Sequence, residues 1–533
     1  MSSAARAAVL AALMAGVAVY ASPGASQSAT AGRCEAMVGT AIRPGISITS
    51  ARHVAAAPAT AGAAPGAPPV PALPAYCRVE GTIDPHKGVT GTEYAIGFAL
   101  ALPDDWNGRF LLQGGGGLNG NVGNPIGPVA AGDRPALARG FAVISHDSGH
   151  KGAVFDNAFM TDQRAALDFA EASVRTVAIA GKAMTERFYG RAIGHSYMTG
   201  CSTGGREGML AMQRYPELFD GIVVGAPAMR TGHSNLAIEW ANVQFNLAAP
   251  RDAEGLPIVD RIFSDTDRQT ILNGMLRQCD ALDGRADGMI MHVAQCQFKP
   301  SELQCSGERR DGCLSAAQTG ALERAFAGPK DAAGYPIYVP VPFDTGIVFT
   351  GAGLPGYLPT GRPGVFGPAT RALTMDLDAR LRAVEGDAVQ RLTDTNVWTD
   401  LDTYLGRGGK ALFFHGVSDP WFSANDSWDW WQRALATNGA AFGDASRYYM
   451  IPGMLHCGGG NSFDQFDLLS PLVDWVESSK APERPVASRR DSPAQRPLCP
   501  HPAYPHYAGG DPDRAESYEC RGTPLAALAG ERG

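Results

Sequence analysis

The chain has no excess of basic residues: 45 lysines and arginines stand against 53 acidic residues over 533 positions, for a formal net charge of -8. Without a basic stripe to neutralise phosphates, nucleic-acid binding is not expected. Past the first residues there is no apolar run long enough to span a bilayer, so no membrane partner is expected for the mature chain. There is no internal repeat, which argues against a solenoid or propeller. Small molecules or proteins remain as partners. Hydrophobic residues make up 45% of the chain, enough for a large core and, by length, for more than one domain.

What is present begins with MSSAARAAVLAALMAGVAVYAS, where Arg6 precedes an apolar run ending near Ala21. Residues 1–21 read as a signal peptide, which predicts a secreted or periplasmic protein. In such a compartment ten cysteines favour disulfides over metal ligation. Neighbours in the chain suggest four pairs: Cys34 with Cys77, Cys279 with Cys296, Cys305 with Cys313, and Cys499 with Cys520. Sequence does not fix connectivity, and Cys201 and Cys457 are left over, far apart.

Residues 22–90 form an N-terminal extension with a Pro/Ala-rich loop at 54–75. From Tyr94 onward, β-type runs (YAIGFALAL, RFLLQ, FAVISHD) give way to a helical pattern in TDQRAALDFAEASVRTVAIAGKAMTERFYG, which has a Thr/Asp start and a Gly stop. Alternating strands and helices predict an α/β fold with a parallel sheet covered on both faces over 91–227. Residues 228–395, rich in Gly, Pro and Cys, read as an inserted lid domain. The sheet resumes over 396–533 with KALFFHG and RYYMIPG, and the chain closes with a disulfide loop.

Within this frame GCSTGG, Gly200 to Gly205, fits the G-x-S-x-G nucleophile elbow, a pattern that a chain with 65 glycines produces by chance about half the time. The elbow needs a strand before the serine and a helix after it, and both are predicted here. In the order nucleophile, acid, histidine, the positions after later strands are Asp419 in FFHGVSDPWF and His456 in YYMIPGMLHCGGG. His415 and His195 compete, while His146 and His150 precede the serine. His456 is preferred because its loop follows the last recognisable strand and Cys457 adjoins it. If Cys201 bonds Cys457, the Cα atoms of Ser202 and His456 lie within roughly 13 Å.

GCSTGGREGM, GVSDPWF and PGMLHCGGG together resemble the tannase and feruloyl esterase family, over about Cys34 to Cys520. The resemblance implies an α/β-hydrolase fold with a large lid, rich in disulfides, and a Cys201–Cys457 bridge beside a triad of Ser202 (nucleophile), His456 (base, then acid) and Asp419 (orienting the imidazole). An oxyanion hole takes one N–H from the residue after the serine, Thr203; the family pattern places the second at Gly117, last of the four glycines in LLQGGGGLNG.

In the lid, CDALDGRADGMI offers the carboxylates of Asp280, Asp283 and Asp287 and the carbonyls of Arg285 and Met289. By spacing alone this is as much a solvated acidic turn as a hard-oxygen site. The resemblance implies structural Ca²⁺ at these five positions. No organic cofactor is expected.

Trp421 and Phe422 follow Asp419 and are candidates to stack on a planar aromatic acid. Arg230 and His233 are candidates for a polar group of the substrate. Terephthalate-ester hydrolases of the family carry tryptophans and a carboxylate-gripping arginine late in the lid. The matching stretch, GLPGYLPTGRPGVFGPATRALT, is shorter and has no tryptophan, and neither Arg362 nor Arg371 aligns to that role. The expected activity is therefore a secreted serine esterase for hydroxybenzoic or hydroxycinnamic esters. Terephthalate monoesters are the alternative within the class, a peptidase is the rival chemistry, and a non-catalytic ligand-binding protein is the rival from another class.

Overall fold

Phe110, Leu111 and Leu112 are all buried, yet they serve different cores: Phe110 and Leu112 enter one cluster and Leu111 another. Ile222 and Val224 likewise separate from Val223. A strand alternates its side chains between faces, so a continuous apolar run marks a sheet covered on both sides. The computed structural model describes residues 31–62, 69–348, 358–359, 370–490 and 492–522; the predicted signal peptide lies outside them.

The nine strands of this sheet are β1 (Ile46–Val54), β2 (Tyr76–Lys87), β3 (Glu93–Pro103), β4 (Arg109–Gln113), β5 (Ala142–His146), β6 (His195–Cys201), β7 (Gly221–Gly225), β8 (Lys410–Gly416) and β9 (Ser446–Ile451). They lie in the order β1-β2-β3-β5-β4-β6-β7-β8-β9. From β5 to β9 all pairings are parallel, as the strand–helix alternation predicts. The other end departs from that expectation: β1–β2, β2–β3 and β3–β5 are antiparallel. The cause is local, since β2 and β3 are joined by a short turn closed by Gly88 N–H to Thr92 C=O, too short for the crossover that parallel strands require. Residues of the N-terminal extension thus supply two strands of the main sheet. Beyond β1, the Pro/Ala-rich arm forms isolated bridges, Ala57 to Leu73 and Thr60 to Val70.

Helix α1 (Ser173–Tyr189) ends at Gly190 in the left-handed region, the stop expected from sequence. Its Val174, Val177, Met184 and Phe188 cover one face of the sheet. Helix α2 (Thr203–Arg214) starts directly after β6. Between β7 and β8 the chain leaves the sheet, and among the described residues of that insert no strand is found. It has its own apolar cluster, in which Phe245 of α3 (Thr231–Ala248), Ile271 of α4 (Asp265–Cys279) and Leu322 of α5 (Ala316–Ala327) meet. Helix α6 (Ala424–Asn438) follows β8, and α7 (Leu469–Ser478) covers the second face through Leu469, Leu472 and Trp475.

All ten cysteines are paired, as Cys34–Cys77, Cys201–Cys457, Cys279–Cys296, Cys305–Cys313 and Cys499–Cys520. Among the described residues no helix is long and apolar enough to cross a membrane.

Candidate active site

Ser202 stands between β6 and α2 at φ 65° and ψ -122°, a conformation that a non-glycine residue adopts at a cost of about 1–3 kcal/mol. The turn holds because its backbone is fully tied: Ser202 N–H donates to Gly225 C=O at 3.0 Å, and Ser202 C=O accepts from Arg206 and Ala228 N–H. The glycines around it are required by close approach. A Cβ on Gly204 would lie 2.8 Å from Gly115 C=O, and one on Gly205 would lie 2.2 Å from Gly225 C=O. Thus G-x-S-x-G-G is here the contact pattern of two backbone crossings.

Asp419 and His456 sit on the loops after β8 and β9, and their side chains meet: His456 Nδ1 is 2.6 Å from Asp419 Oδ2. Asp419 is fully buried, and its other oxygen accepts from the N–H groups of Trp421 (2.8 Å) and Phe422 (3.1 Å). Burial alone would raise its pKa, but the charge of His456 and hydrogen bonds from His415 and His456 outweigh it and hold the carboxyl well below the usual range. His456 Nε2 is buried with no hydrogen-bond partner among the described residues. Cys457 joins Cys201 with Cα atoms 6.1 Å apart, so the Ser202 and His456 Cα atoms are no more than about 14 Å apart.

The glycine loop after β4 is stitched to the start of α2. Gly204 N–H donates to Gly115 C=O at 2.9 Å, Gly115 N–H donates to the Glu207 carboxylate at 2.9 Å, and the Thr203 hydroxyl donates to Gly117 C=O. Gly117 has φ +57°. Thr203 opens α2, where backbone N–H groups have no partner within the helix. Both expected oxyanion donors are therefore on one rigid unit beside Ser202.

A residue of the insert locks the other two loops. Buried Asp344 accepts from Ser418 Oγ at 2.6 Å and from Gly453 N–H at 2.7 Å, next to Asp419 and three residues before His456. Burial pushes its pKa up. Neither Asp344, Glu207 nor the contact of His415 with Asp419 is foreseen from sequence; a buried carboxylate inside an irregular insert leaves no periodic trace.

Trp421 and Phe422 flank the imidazole of His456, with ring centroids 4.8 Å and 5.3 Å away. The Arg230 guanidinium is bonded to Asp426 and lies over the Tyr338 ring. His233 lines a separate polar cavity with Arg230, Glu385, Arg391 and Asp394. The competing histidines have other partners. His195 pairs with Glu477, His146 with Glu207, and His150 stacks on Phe159. Arg371 bonds Asp252, and Arg362 lies outside the described residues.

In the acidic loop, Asp280 accepts from the N–H groups of Asp287 and Gly288, and Asp283 from that of Arg285. Asp287 pairs with Arg496 through one oxygen, while the other is buried without a partner. Among the described residues no three His, Cys, Asp or Glu side chains converge as a ready metal cluster. The donor set is nonetheless hard oxygen, and Asp283 is pushed up to about 7, by burial first and then by the charges of Asp287 and Asp280.

The parallel sheet, the strained serine between strand and helix, and the acid–imidazole pair on the next two strand-end loops define an α/β-hydrolase. The family model "Tannase and feruloyl esterase" matches residues 77–351 and 369–521. The chain belongs to the tannase and feruloyl esterase family and is an ester hydrolase. Mono(2-hydroxyethyl) terephthalate hydrolase of Piscinibacter sakaiensis is 37% identical to it, with 88% of this chain and 87% of that one aligned. A probable feruloyl esterase of Arthroderma benhamiae is 29% identical, with 85% and 88% aligned. Among solved structures, feruloyl esterase B of Aspergillus oryzae superposes with a TM-score of 0.74 at 24% identity, covering 92% of this chain and all of that one. Tannin acyl hydrolase of Aspergillus niger gives 0.68 at 22%, covering 93% and 95%.

Proposed function

We propose that the chain is an exported serine esterase that hydrolyses esters of aromatic carboxylic acids through an acyl-enzyme. Ser202 Oγ attacks the ester carbonyl while His456 Nε2 takes its proton, and Asp419 holds the imidazole with Nδ1–H toward itself. The N–H groups of Thr203 and Gly117 receive the oxyanion. His456 then protonates the departing alcohol, and water, activated by the same nitrogen, releases the acid. Trp421 and Phe422, both packed against the imidazole, form the aromatic wall for a hydroxybenzoyl or hydroxycinnamoyl group.

The observation that carries this reading is the 2.6 Å contact between His456 and Asp419 on a loop bonded through Cys457 to the serine's own turn. Replacing Ser202 with alanine tests it: turnover of methyl ferulate and methyl gallate is expected to fall by about 10⁴-fold or more, and undiminished turnover overturns the assignment. The 37% identity to a terephthalate monoester hydrolase favours a second reading, in which the acyl group is terephthalate. Assaying a terephthalate monoester beside the two methyl esters decides between them.

Ca²⁺ held by Asp280, Asp283, Asp287 and the carbonyls of Arg285 and Met289 belongs to the same proposal. The buried, unpartnered Asp287 oxygen supports it. The ion would supply charge compensation in the insert and no step of the reaction. Export is supported by five disulfides, which persist in oxidising compartments.

A further inference from the structure

Asp419 Oδ2 has two imidazole nitrogens on it: His456 Nδ1 at 2.6 Å and His415 Nε2 at 3.1 Å. His415 is the second-last residue of β8, four residues before the acid, and is 1% exposed. The same Nε2 is 3.1 Å from Phe422 C=O. A bare lone pair facing a carboxylate and a carbonyl at once would be repelled by both, so Nε2 carries the hydrogen. On the other side of the ring, Nδ1 is 2.6 Å from Ser427 Oγ, which in turn is 2.7 Å from Tyr448 OH. Tyr448 OH and Ser427 Oγ both reach Ala424 C=O, at 3.0 and 3.3 Å. With Ser427 donating to Nδ1 and the single Tyr448 hydrogen shared between Ser427 Oγ and Ala424 C=O, every polar side-chain atom of this relay has a partner, and all four residues from α6, β8 and β9 are buried.

We infer that His415 is a positioning residue for the reaction: its Nε2–H, locked from behind by Ser427 and Tyr448, keeps Asp419 Oδ2 aimed at His456. Asp419 then receives four donors, two on each oxygen, which is the full capacity of a carboxylate. Such a group cannot rotate without breaking a buried bond. The donor also draws negative charge off Oδ2. Without it more of the carboxylate's charge would face the His456 imidazole. The other ionisable groups facing this cluster are Tyr338 and Tyr448, both pushed up by burial, Asp426, paired with Arg230, and Asp344, bonded to Ser418.

The inference rests on the Ser202–His456–Asp419 reading, and the test keeps the two apart. His415→Leu, His415→Gln, Ser427→Ala and Ser202→Ala are compared on 4-nitrophenyl acetate and methyl ferulate from pH 5 to 9. His415→Leu is expected to lose about tenfold to a hundredfold in kcat with KM within about twofold, and to move the acid limb of kcat/KM to higher pH. His415→Gln, whose amide N–H reaches the same oxygen, is expected to recover most of both. Ser427→Ala, which removes only the lock, is expected to lose about threefold to tenfold in kcat and serves if the His415 variants do not fold. Unchanged kcat and acid limb in His415→Leu overturn the inference, as does a Gln variant that folds and is as impaired as Leu. An unchanged Ser427→Ala does so where the others fail to fold. A silent Ser202→Ala beside a normal His415→Leu rejects only the inference; an active Ser202→Ala rejects the triad and the inference with it.

Discussion

The hydroxyl of Thr203 donates to the carbonyl of Gly117, joining the two residues whose N–H groups are assigned to the oxyanion. One side chain thereby sets the spacing of two backbone donors on different loops. Thr203→Val keeps the backbone and most of the volume but removes the bond. Its kcat on methyl ferulate is expected to fall by about tenfold or more with little change in KM, while Thr203→Ser stays near the parent. Equal kinetics for the Val and Ser variants would show that the bond is idle.

The Cys201–Cys457 bridge closes a loop of 256 residues. In the chain-entropy model such a closure stabilises by about 5 kcal/mol. The double variant Cys201→Ala/Cys457→Ala is expected to melt several degrees lower and to lose kcat, since the histidine loop is no longer fastened to the serine turn. Paired thermal melts and initial rates check this; a drop in melting temperature without loss of kcat would assign the bridge to stability alone.

Asp147 accepts Gly97 and Gly149 N–H on a single oxygen, Oδ1, and burial pushes its pKa up from 3.8 to about 6. The native state therefore holds this proton more tightly than the unfolded chain, and stability falls as pH rises from about 4 to about 6. Asp147→Asn preserves an acceptor at Oδ1 and cannot ionise. It is expected to be more stable than the parent at pH 7 to 8, by up to about 3 kcal/mol, and equal to it near pH 4. Denaturant unfolding at both pH values measures the difference.

If Ca²⁺ occupies the Asp280–Met289 loop, chelation lowers the melting temperature and added Ca²⁺ restores it, whereas Mg²⁺ restores little because its small octahedral shell fits a loop with two carbonyl donors poorly. Calorimetric titration of the chelated protein supplies the stoichiometry, expected to be one. Asp287→Asn is expected to weaken the binding while leaving Ser202 reactive to a fluorophosphonate probe.

Much of this architecture could be read from residue order. Ser202, Asp419 and His456 stand out as candidates because each ends or follows a strand whose apolar run is unbroken, and the structure brings the last two into contact. Chain proximity suggested four of the five disulfides and the family resemblance implied Cys201–Cys457, while the connectivity itself is a finding of the structure. The antiparallel strands β1 and β2 were hidden by the low-complexity arm between them, which looks like linker although the strands flanking it pair across the sheet. That the Arg230 guanidinium is held by Asp426, 196 positions on, is a contact the sequence does not reveal. His415 was weighed only as a rival base; that it serves the same carboxylate from the opposite side is a fact of packing, not of spacing.

The insert leaves the sheet after β7 and returns at β8, and these two strands are nearest neighbours paired in parallel over Gly221–Gly225 and Lys410–Phe414. Because the pairing is parallel, the chain leaves beyond Gly225 and has to come back at the opposite end of the neighbouring strand, where Lys410 lies beside Gly221, so the insert must span the length of both strands. Since Asp344 of the insert bonds Ser418 and Gly453 on the loops that carry Asp419 and His456, an exchange of the insert that omits this one carboxylate reaches into the hydrolytic machinery itself.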